Sequence, residues 1–154
     1  MKRASNRSRC PINFTTEIFG DTWSFLILRG ILTYGAKTYS DFLKSEERIG
    51  TSVLADRLVH LEKAGIILKS IDKEDGRKVA YTLTEAGLGT IPIIYEMALW
   101  GTMTSENPKM PPAWFEAIQF DRTTVLKAWR EAIMSDSAFF VGPNSVVRQL
   151  GLNT

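Results

Sequence analysis

The side chains that could act as nucleophiles, general bases or metal ligands are few in this chain. The sequence contains one cysteine, Cys10, and one histidine, His60, far apart along the chain. Catalysis by a cysteine needs a base beside the thiol, and a structural zinc site needs several Cys or His ligands. A disulfide within the chain needs a second cysteine. The sequence therefore predicts no catalytic dyad, no metal site and no cofactor.

The acidic side chains form clusters that are typical of solvated surfaces. Glu46 and Glu47 are adjacent, and three more acids lie within residues 72–75. Neither cluster has apolar surroundings that make one carboxyl group an acid and its neighbour a base. Gly87 and Gly89 lie in a helical stretch and lack the GxGxxG context of a phosphate-binding loop. We therefore expect a protein that is not an enzyme.

Cys10 has two features of a reactive thiol. Arg9 precedes it, and Pro11 can begin a helix directly after it, and both features favour the thiolate form. Since no second cysteine can resolve a sulfenic acid, oxidation can give only a Cys10–Cys10 bond between subunits or an adduct with a small thiol. A redox-sensing role and a merely structural role both stay open for Cys10.

The net charge of +2 is small, but its distribution is uneven. Residues 1–10 carry +4 with no acid, residues 105–154 sum to zero, and residues 11–104 therefore carry −2. The basic start is expected to be a flexible arm that adds salt-dependent affinity for phosphates without reading sequence. Any basic surface on the middle of the chain must come from the placement of a few cations.

The elements that position these side chains begin with a run of helices. A first helix is predicted to begin at Pro11 and to end at Gly20. Asp21 is the expected N-cap of a second helix over residues 22–32. A short third helix follows, for which Thr38 and Asp41 form a weak capping box. A further helix is predicted from Thr51 or Ser52 to about residue 64, with an apolar stripe of leucines.

A hairpin and a long apolar helix are expected next. Residues 66–71 and 79–84 are short β-rich runs around an Asp-Gly turn, so they predict two antiparallel strands. Thr84 is an expected cap for a helix over 85–101 that is apolar on nearly every side, which Pro92 should kink or restart. Two more helices are predicted over 113–120 and 122–134, with Asp121 as a cap of the second.

This order of elements is that of a winged helix-turn-helix: mainly α with a small β-hairpin, a C-terminal dimerisation helix and an appended helical segment. A helix with one apolar stripe can pack on its neighbours and present its polar side to a major groove about 12 Å wide. A hairpin with basic residues near its turn can reach phosphates or the adjacent minor groove. Double-stranded DNA is therefore the expected partner.

The residues that carry a family resemblance lie between 9 and 102, in order and without a large insertion. They are Arg9-Cys10-Pro11, Gly20-Asp21-Thr22-Trp23, Leu26-Ile27-Leu28-Arg29, Phe42, Leu54-Ala55-Asp56-Arg57-Leu58, Leu61-Glu62-Lys63-Ala64-Gly65-Ile66, Tyr81-Thr82-Leu83-Thr84-Glu85-Ala86-Gly87 and Trp100-Gly101. In this order and spacing, the chain resembles the HxlR-type transcriptional regulators.

The resemblance implies a bacterial-type, DNA-binding homodimer that regulates transcription from a pseudo-palindromic operator. Some HxlR-type proteins sense oxidants or electrophiles through a cysteine at the place of Cys10. The chain departs from the family before the recognition helix, where Arg48-Ile49-Gly50 stands for the usual Gly-Ile-Ser. Gly50 is a weaker cap than Ser by only a few tenths of a kcal/mol, and Arg48 adds a cation. Thr22 stands where the family often has Lys.

Nine residues of the recognition helix, its preceding turn and the wing are candidates for DNA contact. They are Arg48, Thr51, Ser52, Val53, Asp56, Arg57, His60, Arg77 and Lys78. The first turn of the helix, residues 51–53, either reaches base edges or only caps the helix, and Ser52 is the best candidate of the three.

Each of the other candidates has an alternative role. Asp56 either accepts from a cytosine amino group or pairs with an arginine. Arg57 either holds a phosphate, which we favour, or forms an internal ion pair, and His60 is expected to face solvent or a phosphate. Arg77 and Lys78 are expected to contact phosphates or the minor groove rather than to be only solvated.

Composition divides the chain into four parts: a basic arm at 1–9, a DNA-binding and dimerisation domain at 10–103, a linker at 104–112 and a helical extension at 113–154. Trp114, Phe115, Phe120 and Trp129 are expected to pack in a core or dimer interface rather than to line a ligand pocket.

The expected location is the cytoplasm, without a membrane partner. No apolar segment follows the basic start, and the most apolar run, residues 91–100, is far shorter than the ~18 residues that span a bilayer. The alternative function is a winged-helix module for protein–protein contact, which the slight acidity of residues 11–104 favours. The residues indicate no particular small-molecule effector.

Overall fold

The computed structural model describes residues 8–71 and 79–153. In this part of the chain, the elements are α1 (Pro11–Phe19), α2 (Ser24–Tyr34), α3 (Tyr39–Leu43), α4 (Thr51–Lys63), β1 (Ile67–Ile71), β2 (Val79–Leu83), α5 (Glu85–Leu88), α6 (Ile91–Thr104), α7 (Pro112–Ala117), α8 (Arg122–Met134) and α9 (Val146–Gln149). The fold is mainly helical with one small hairpin, which confirms the predicted fold class.

The local start signals of several helices are confirmed. The Thr38 side chain accepts from the Asp41 backbone N–H, and the Asp41 carboxylate accepts from the Thr38 backbone N–H at 2.9 Å, so the capping box is complete. Thr84 accepts from the Gly87 backbone N–H at the start of α5. Asp121 accepts from the Thr124 backbone N–H at 2.9 Å at the start of α8.

Three helices differ from their predicted bounds, of which α7 (Pro112–Ala117) ends three residues early. The second helix begins at Ser24 rather than Thr22, because the Asp21 carboxylate accepts from the backbone N–H groups of both Trp23 and Ser24 and holds a bend there. The predicted helix over 85–101 is two helices, α5 and α6. Pro92 lies in the first turn of α6, where a missing N–H costs nothing, so the proline restarts the helix.

The hairpin follows α4 through a single tight turn. Gly65 has φ +72°, a left-handed conformation that glycine adopts without the penalty of a side chain. The Ile66 N–H then donates to the Leu61 carbonyl at 3.0 Å. β1 and β2 pair antiparallel, from Ile67 opposite Leu83 to Ile71 opposite Val79. The predicted hairpin is confirmed, and its turn residues lie outside the described ranges.

One continuous core joins the winged-helix elements to the C-terminal extension. Leucines of α2 and α4, including Leu32, Leu54 and Leu58, are buried in the same cluster as Trp114 of α7 and Trp129 of α8. The prediction that these two tryptophans pack in a core is confirmed, but the expectation that they line no pocket is wrong, since both also border a cavity. Phe115 and Phe120 are 38% and 41% exposed, so they are not core residues, and their packing in a dimer interface stays a prediction.

The extension is attached to α2 by backbone as well as side-chain contacts. The Trp129 indole N–H donates to the Leu32 carbonyl at 2.8 Å. The backbone N–H groups of Phe139 and Phe140 donate to the carbonyls of Leu32 and Thr33, both at 3.0 Å. The end of α2 is thereby covered by the extension, which orders residues that have no long helical periodicity of their own.

Candidate DNA-binding surface

The recognition helix α4 has two opposite faces. Leu54, Leu58 and Leu61 are buried, whereas Ser52 and Asp56 are exposed. Four exposed residues repeat at helical spacing and form one stripe opposite the leucines, at positions 52, 56, 59 and 63. The stripe is what a helix needs in order to present side chains to a groove while its other side holds it to the core.

The start of α4 offers unpaired backbone donors. Its N-cap, Gly50, has an extended conformation and no side chain, so no cap occupies the N–H groups of the first turn. Thr51, Ser52 and Val53 are exposed around this end. Because the helix dipole also makes this end positive, the N–H groups of the first turn can donate to a phosphate oxygen.

Hydrogen bonds and an ion pair hold α4 in place. The Tyr39 hydroxyl donates to the Thr51 carbonyl at 2.7 Å, which joins α3 to the first turn of α4. Arg29 of α2 forms a two-pronged pair with Glu47, at 2.6 and 2.8 Å. This pair lowers the pKa of Glu47 and raises that of Arg29. The segment that precedes α4 is therefore attached to α2.

Neither Arg29 nor Glu47 is predicted from the sequence as part of the site. They are 18 residues apart on different elements, so no helical or strand periodicity relates them. The only signal was the place of Arg29 in the motif that carries the family resemblance. Their contribution is to position α4, since both nitrogens of the Arg29 fork are already engaged by Glu47.

Arg48 occupies an exposed and strained position in the turn before α4. Its φ of +55° lies in the left-handed region, which costs a non-glycine residue about 1–2 kcal/mol. Ile49, which follows, is buried in the core and holds the turn in place. A glycine, which is usual at this place in the family, would adopt this φ without strain. The arginine therefore adds an exposed positive charge and also strains the backbone.

Arg57 forms an ion pair within the free chain, whereas the phosphate contact that we favoured from the sequence stays a prediction. Its guanidinium lies 3.3 Å from the Asp21 carboxylate, and both side chains are about 30% exposed or less. Burial raises the pKa of Asp21, but hydrogen bonds from Ser24, Trp23 and Arg57 outweigh that effect and lower it. The structure therefore shows the alternative, an internal ion pair that joins α4 to the turn between α1 and α2.

His60 also faces the protein rather than solvent. Its Nε2 atom lies 2.8 Å from the Ile18 carbonyl oxygen of α1, and since that oxygen can only accept, Nε2 is the donor. Positions 57 and 60 lie on the flank of α4 between its leucines and the exposed stripe, and their side chains reach the turn before α2 and helix α1, respectively. The two-faced pattern of α4 could not separate this flank from the solvent side.

The other candidates divide between exposed and undescribed residues. Asp56 is exposed, and the described residues give it no ion pair with an arginine. Lys63 is exposed at the end of the stripe. Arg77 and Lys78 lie outside the described residues, so their predicted contacts stay a prediction.

Cys10 is exposed and directly precedes α1. Its carbonyl accepts from the Phe14 N–H at 3.0 Å, as an N-cap carbonyl does, while its thiol makes no capping bond.

α1 and α6 both expose large apolar side chains. On α6 these are Met97, Trp100 and Met103, of which Trp100 is 69% and Met103 78% exposed, and on α1 they are Ile12 and Phe14. We call the three residues of α6 the apolar face. Large apolar side chains that cluster on exposed helices mark a surface for another protein.

No metal centre or membrane span is found in the described ranges. Residues 8–71 and 79–153 contain no group of three or more His, Cys, Asp or Glu side chains placed to share a metal ion. None of the helices in these ranges has both the length and the apolarity that crossing a bilayer requires.

Known proteins match this chain across the winged-helix region. The family model described as HxlR-like helix-turn-helix matches residues 18–109. The HTH-type transcriptional regulator YdeP of Bacillus subtilis (strain 168) is 34% identical over 92 residues, which cover 60% of this chain and 71% of YdeP. YodB of the same organism, also an HTH-type transcriptional regulator, is 31% identical over 98 residues, 63% of this chain and 87% of YodB.

Solved structures match the same region. The redox regulator HypR in its oxidized form superposes with a TM-score of 0.55 at 29% identity, covering 64% of this chain and all of HypR. The reduced form of YodB superposes with a TM-score of 0.53 at 25% identity, covering 66% of this chain and all of YodB. With its recognition helix, hairpin and these matches, the chain belongs to the HxlR-like helix-turn-helix family of transcriptional regulators.

Proposed function

We propose that this protein binds DNA sequence-specifically as a homodimer, with α4 in the major groove of each half of a pseudo-palindromic operator. The observation that carries the proposal is the exposed stripe of α4 opposite its buried leucines. In this proposal residues 10–103 bind DNA and dimerise, 1–9 form a basic arm, 104–112 a linker and 113–154 an extension that supports the domain.

The exposed candidates take distinct roles on DNA. Ser52, with Thr51 and Val53, reads base edges from the first turn of α4, and Asp56 accepts from a cytosine amino group. Arg48 contacts a phosphate. Arg77 and Lys78 of the wing contact phosphates or the minor groove.

Arg57 and His60 act differently in this proposal. Because Arg57 pairs with Asp21 and His60 donates to Ile18, both position α4 against α1 and α2 in the free protein. Their replacement changes DNA affinity through the placement of the helix.

The apolar face supports the homodimer. α6 is apolar on nearly all sides, but its core contacts bury only Ile91, Ile94 and Tyr95. A two-fold partner that covers Trp100 and Met103, together with α1, removes this surface from water. A dimer of this kind places the two recognition helices about 34–36 Å apart, or a multiple of that distance, which corresponds to one DNA turn.

Selection of bound sequences from random DNA with the purified full chain tests this function. We expect an inverted repeat to be enriched, with half-sites about 10 base pairs apart or a multiple of one turn. Recovery of no common motif contradicts the proposal and favours the alternative, a winged-helix module for protein–protein contact.

A second candidate function is redox sensing through Cys10. The thiol is exposed directly before α1, which itself exposes Ile12 and Phe14, and the similar HypR is named a redox regulator. Two Cys10 thiols of a dimer would join as a disulfide, with their two electrons and two protons passing to an oxidant such as diamide. Without a second copy in reach, a mixed disulfide with a small thiol is the remaining product.

Comparison of the wild type with Cys10→Ser tests this role. DNA affinity is measured before and after treatment with diamide and after removal of the excess reagent. If Cys10 is a redox sensor, diamide changes the DNA affinity of the wild type but not that of Cys10→Ser, and dithiothreitol restores the original affinity. An identical response of the two proteins contradicts redox sensing by Cys10.

A further inference from the structure

A cavity of about 930 Å³ lies between the winged-helix elements and the C-terminal extension. Its walls come from α2, α6, the segment 44–49 that precedes α4, and residues 109–114 and 139–140 of the chain beyond α6. The volume lies near the upper end of the ~300–1,000 Å³ that is usual for small-molecule pockets.

The lining is mainly aromatic and apolar. Trp23 and Phe25 contribute from α2 and the turn before it, Met97 from α6, and Met110, Trp114 and Phe139 from the rest of the chain. Aromatic rings and methionines adapt well to flat apolar molecules, because they offer large contact areas and polarisable atoms.

The charged groups of the lining sum to zero, and two of the three cations are paired with acids, although the Arg29 Nε atom is buried without a hydrogen-bond partner among the described residues. Three cations (Arg29, Lys44, Lys109) stand against three acids (Asp41, Glu46, Glu47). Arg29 is paired with Glu47 at 2.6 Å, and Lys44 lies 3.5 Å from Asp41. A charged ligand would have to compete with these pairs, whereas an uncharged one leaves them intact.

The cavity is largely separate from the apolar face. Of the residues of that face, only Met97 also lines the cavity. A second copy that covers Trp100 and Met103 therefore leaves most of the lining open to a small molecule.

We propose that this cavity binds an uncharged aromatic small molecule, and that its occupancy alters DNA binding. The regulatory half of this inference rests on the function proposed above. The binding half rests only on the size, lining and charge of the cavity.

The segment 44–49 is the physical connection between the cavity and α4. Glu47 and Ile49 line the cavity, and α4 begins directly after Gly50. The same segment contains Arg48 in its left-handed conformation and is held by the Arg29 pair. A ligand that presses on this wall changes the position of the first turn of α4, where the base-reading residues lie.

Titration of the full chain with N-phenyl-1-naphthylamine tests the binding half. This uncharged aromatic dye brightens in apolar surroundings, and Trp23, Trp114 and Trp129 line the cavity as energy-transfer donors. We expect saturable binding of one dye per chain. Absence of saturable binding to the folded wild type overturns the proposal.

Two variants that fill the cavity from different walls locate the dye. Ala98→Phe adds a ring from α6 and Ser45→Phe adds one from the segment before α4. Each should weaken dye binding about tenfold or more, since the added ring occupies space that the dye needs. The matched control, Ala86→Phe at an exposed position of α5, should bind the dye with an affinity within about twofold of that of the wild type.

The folding and the oligomeric state of each filling variant must be measured, because they show whether a small molecule or a second copy occupies the cavity. If circular dichroism shows that one filling variant does not fold, dye binding is judged from the other filling variant. Wild-type dye affinity in both folded filling variants overturns the proposal. A filling variant that becomes monomeric by sedimentation shows that a second copy occupies the cavity, which also overturns it.

Operator binding with and without the dye tests the regulatory half. Saturating dye should change the DNA dissociation constant of the wild type by about fivefold or more. The DNA dissociation constant of Ser45→Phe should be the same with and without dye. An unchanged wild-type constant overturns the coupling. If the wild type binds no DNA even without dye, the proposed function is contradicted. That outcome leaves the proposed dye binding to be decided by the dye titration alone.

Discussion

α4 and α6 are helices of nearly equal length, 13 and 14 residues, that are used in opposite ways. α4 buries one stripe of leucines and exposes Ser52 and Asp56, whereas α6 exposes Trp100 and Met103. The free face of α4 is suited to a polar, hydrogen-bonding partner. The free face of α6 is suited to an apolar one.

The difference shows how a protein of mild net charge can belong to a DNA-binding family. The polar face of α4 is positioned by contacts to other elements, namely Tyr39 to Thr51, Arg29 to Glu47 and Arg57 to Asp21. In the proposed function, its affinity for DNA depends on a few well-placed groups and on doubling by a dimer. The apolar face of α6 would make that doubling favourable.

The largest expected effect is on the buried side of α4. Leu58→Ala removes a nearly fully buried side chain and leaves a cavity, so we expect the free energy of unfolding to fall by about 2–5 kcal/mol. Urea denaturation at several protein concentrations measures it. The loss should be the same at each concentration, since Leu58 lies inside one chain, and a concentration-dependent loss contradicts the assignment.

The next largest effect is on the free side of α6. Trp100→Glu puts a charge into the apolar face and should weaken the dimer by about 2–4 kcal/mol, as the loss of a large aromatic anchor does. Sedimentation equilibrium measures the dissociation constant. Met134→Glu, a matched change at a large apolar residue of α8 that is 65% exposed outside the face, should leave it unchanged. Equal effects of the two variants contradict the proposed interface.

A smaller effect is expected on the DNA side. Arg48→Ala should weaken DNA binding by the loss of one phosphate contact and lower the salt slope by about one. Fluorescence anisotropy on the selected operator at several salt concentrations measures both. Lys127→Ala, at a cation that is 75% exposed on α8, serves as the control. An unchanged slope for Arg48→Ala removes this residue from the interface.

The smallest effect concerns the capping box of α3, the helix that holds the start of α4. Hydrogen bonds from Thr38 lower the pKa of Asp41 to about 2 against an ordinary 3.8. Because the folded pKa is the lower one, the carboxylate stabilises the fold above the ordinary value, and this stability is lost as pH falls toward about 2.

Asp41→Ala should therefore lower the free energy of unfolding by about 1 kcal/mol at neutral pH. Denaturation at a series of pH values should show the difference between the variant and the wild type shrinking below the ordinary carboxyl pKa. A difference that stays constant down to the lowest pH points to a role of Asp41 other than as a charged cap.

Much of the fold could be predicted because its signals are local. The capping box of Thr38 and Asp41, the restart at Pro92 and the left-handed turn at Gly65 each depend on residues within one turn of chain. The exposed and buried sides of α4 likewise follow from the period of its leucines.

The candidate site could be predicted only in part. The exposed positions 51–53 and 56 follow from the two-faced pattern of α4, but the flank with Arg57 and His60 does not. Whether a polar residue on a flank faces solvent or a neighbouring helix depends on where that neighbour lies, and period alone does not contain that information.

The sequence by itself determined the order of the elements, the recognition helix, the hairpin and the family, because those depend on neighbours in the chain. Only the tertiary structure decided which groups hold α4 in place and how the extension closes over α2. The Arg57–Asp21, His60–Ile18 and Trp129–Leu32 contacts join residues 36, 42 and 97 positions apart. Such contacts depend on distances in space, which no local spacing encodes.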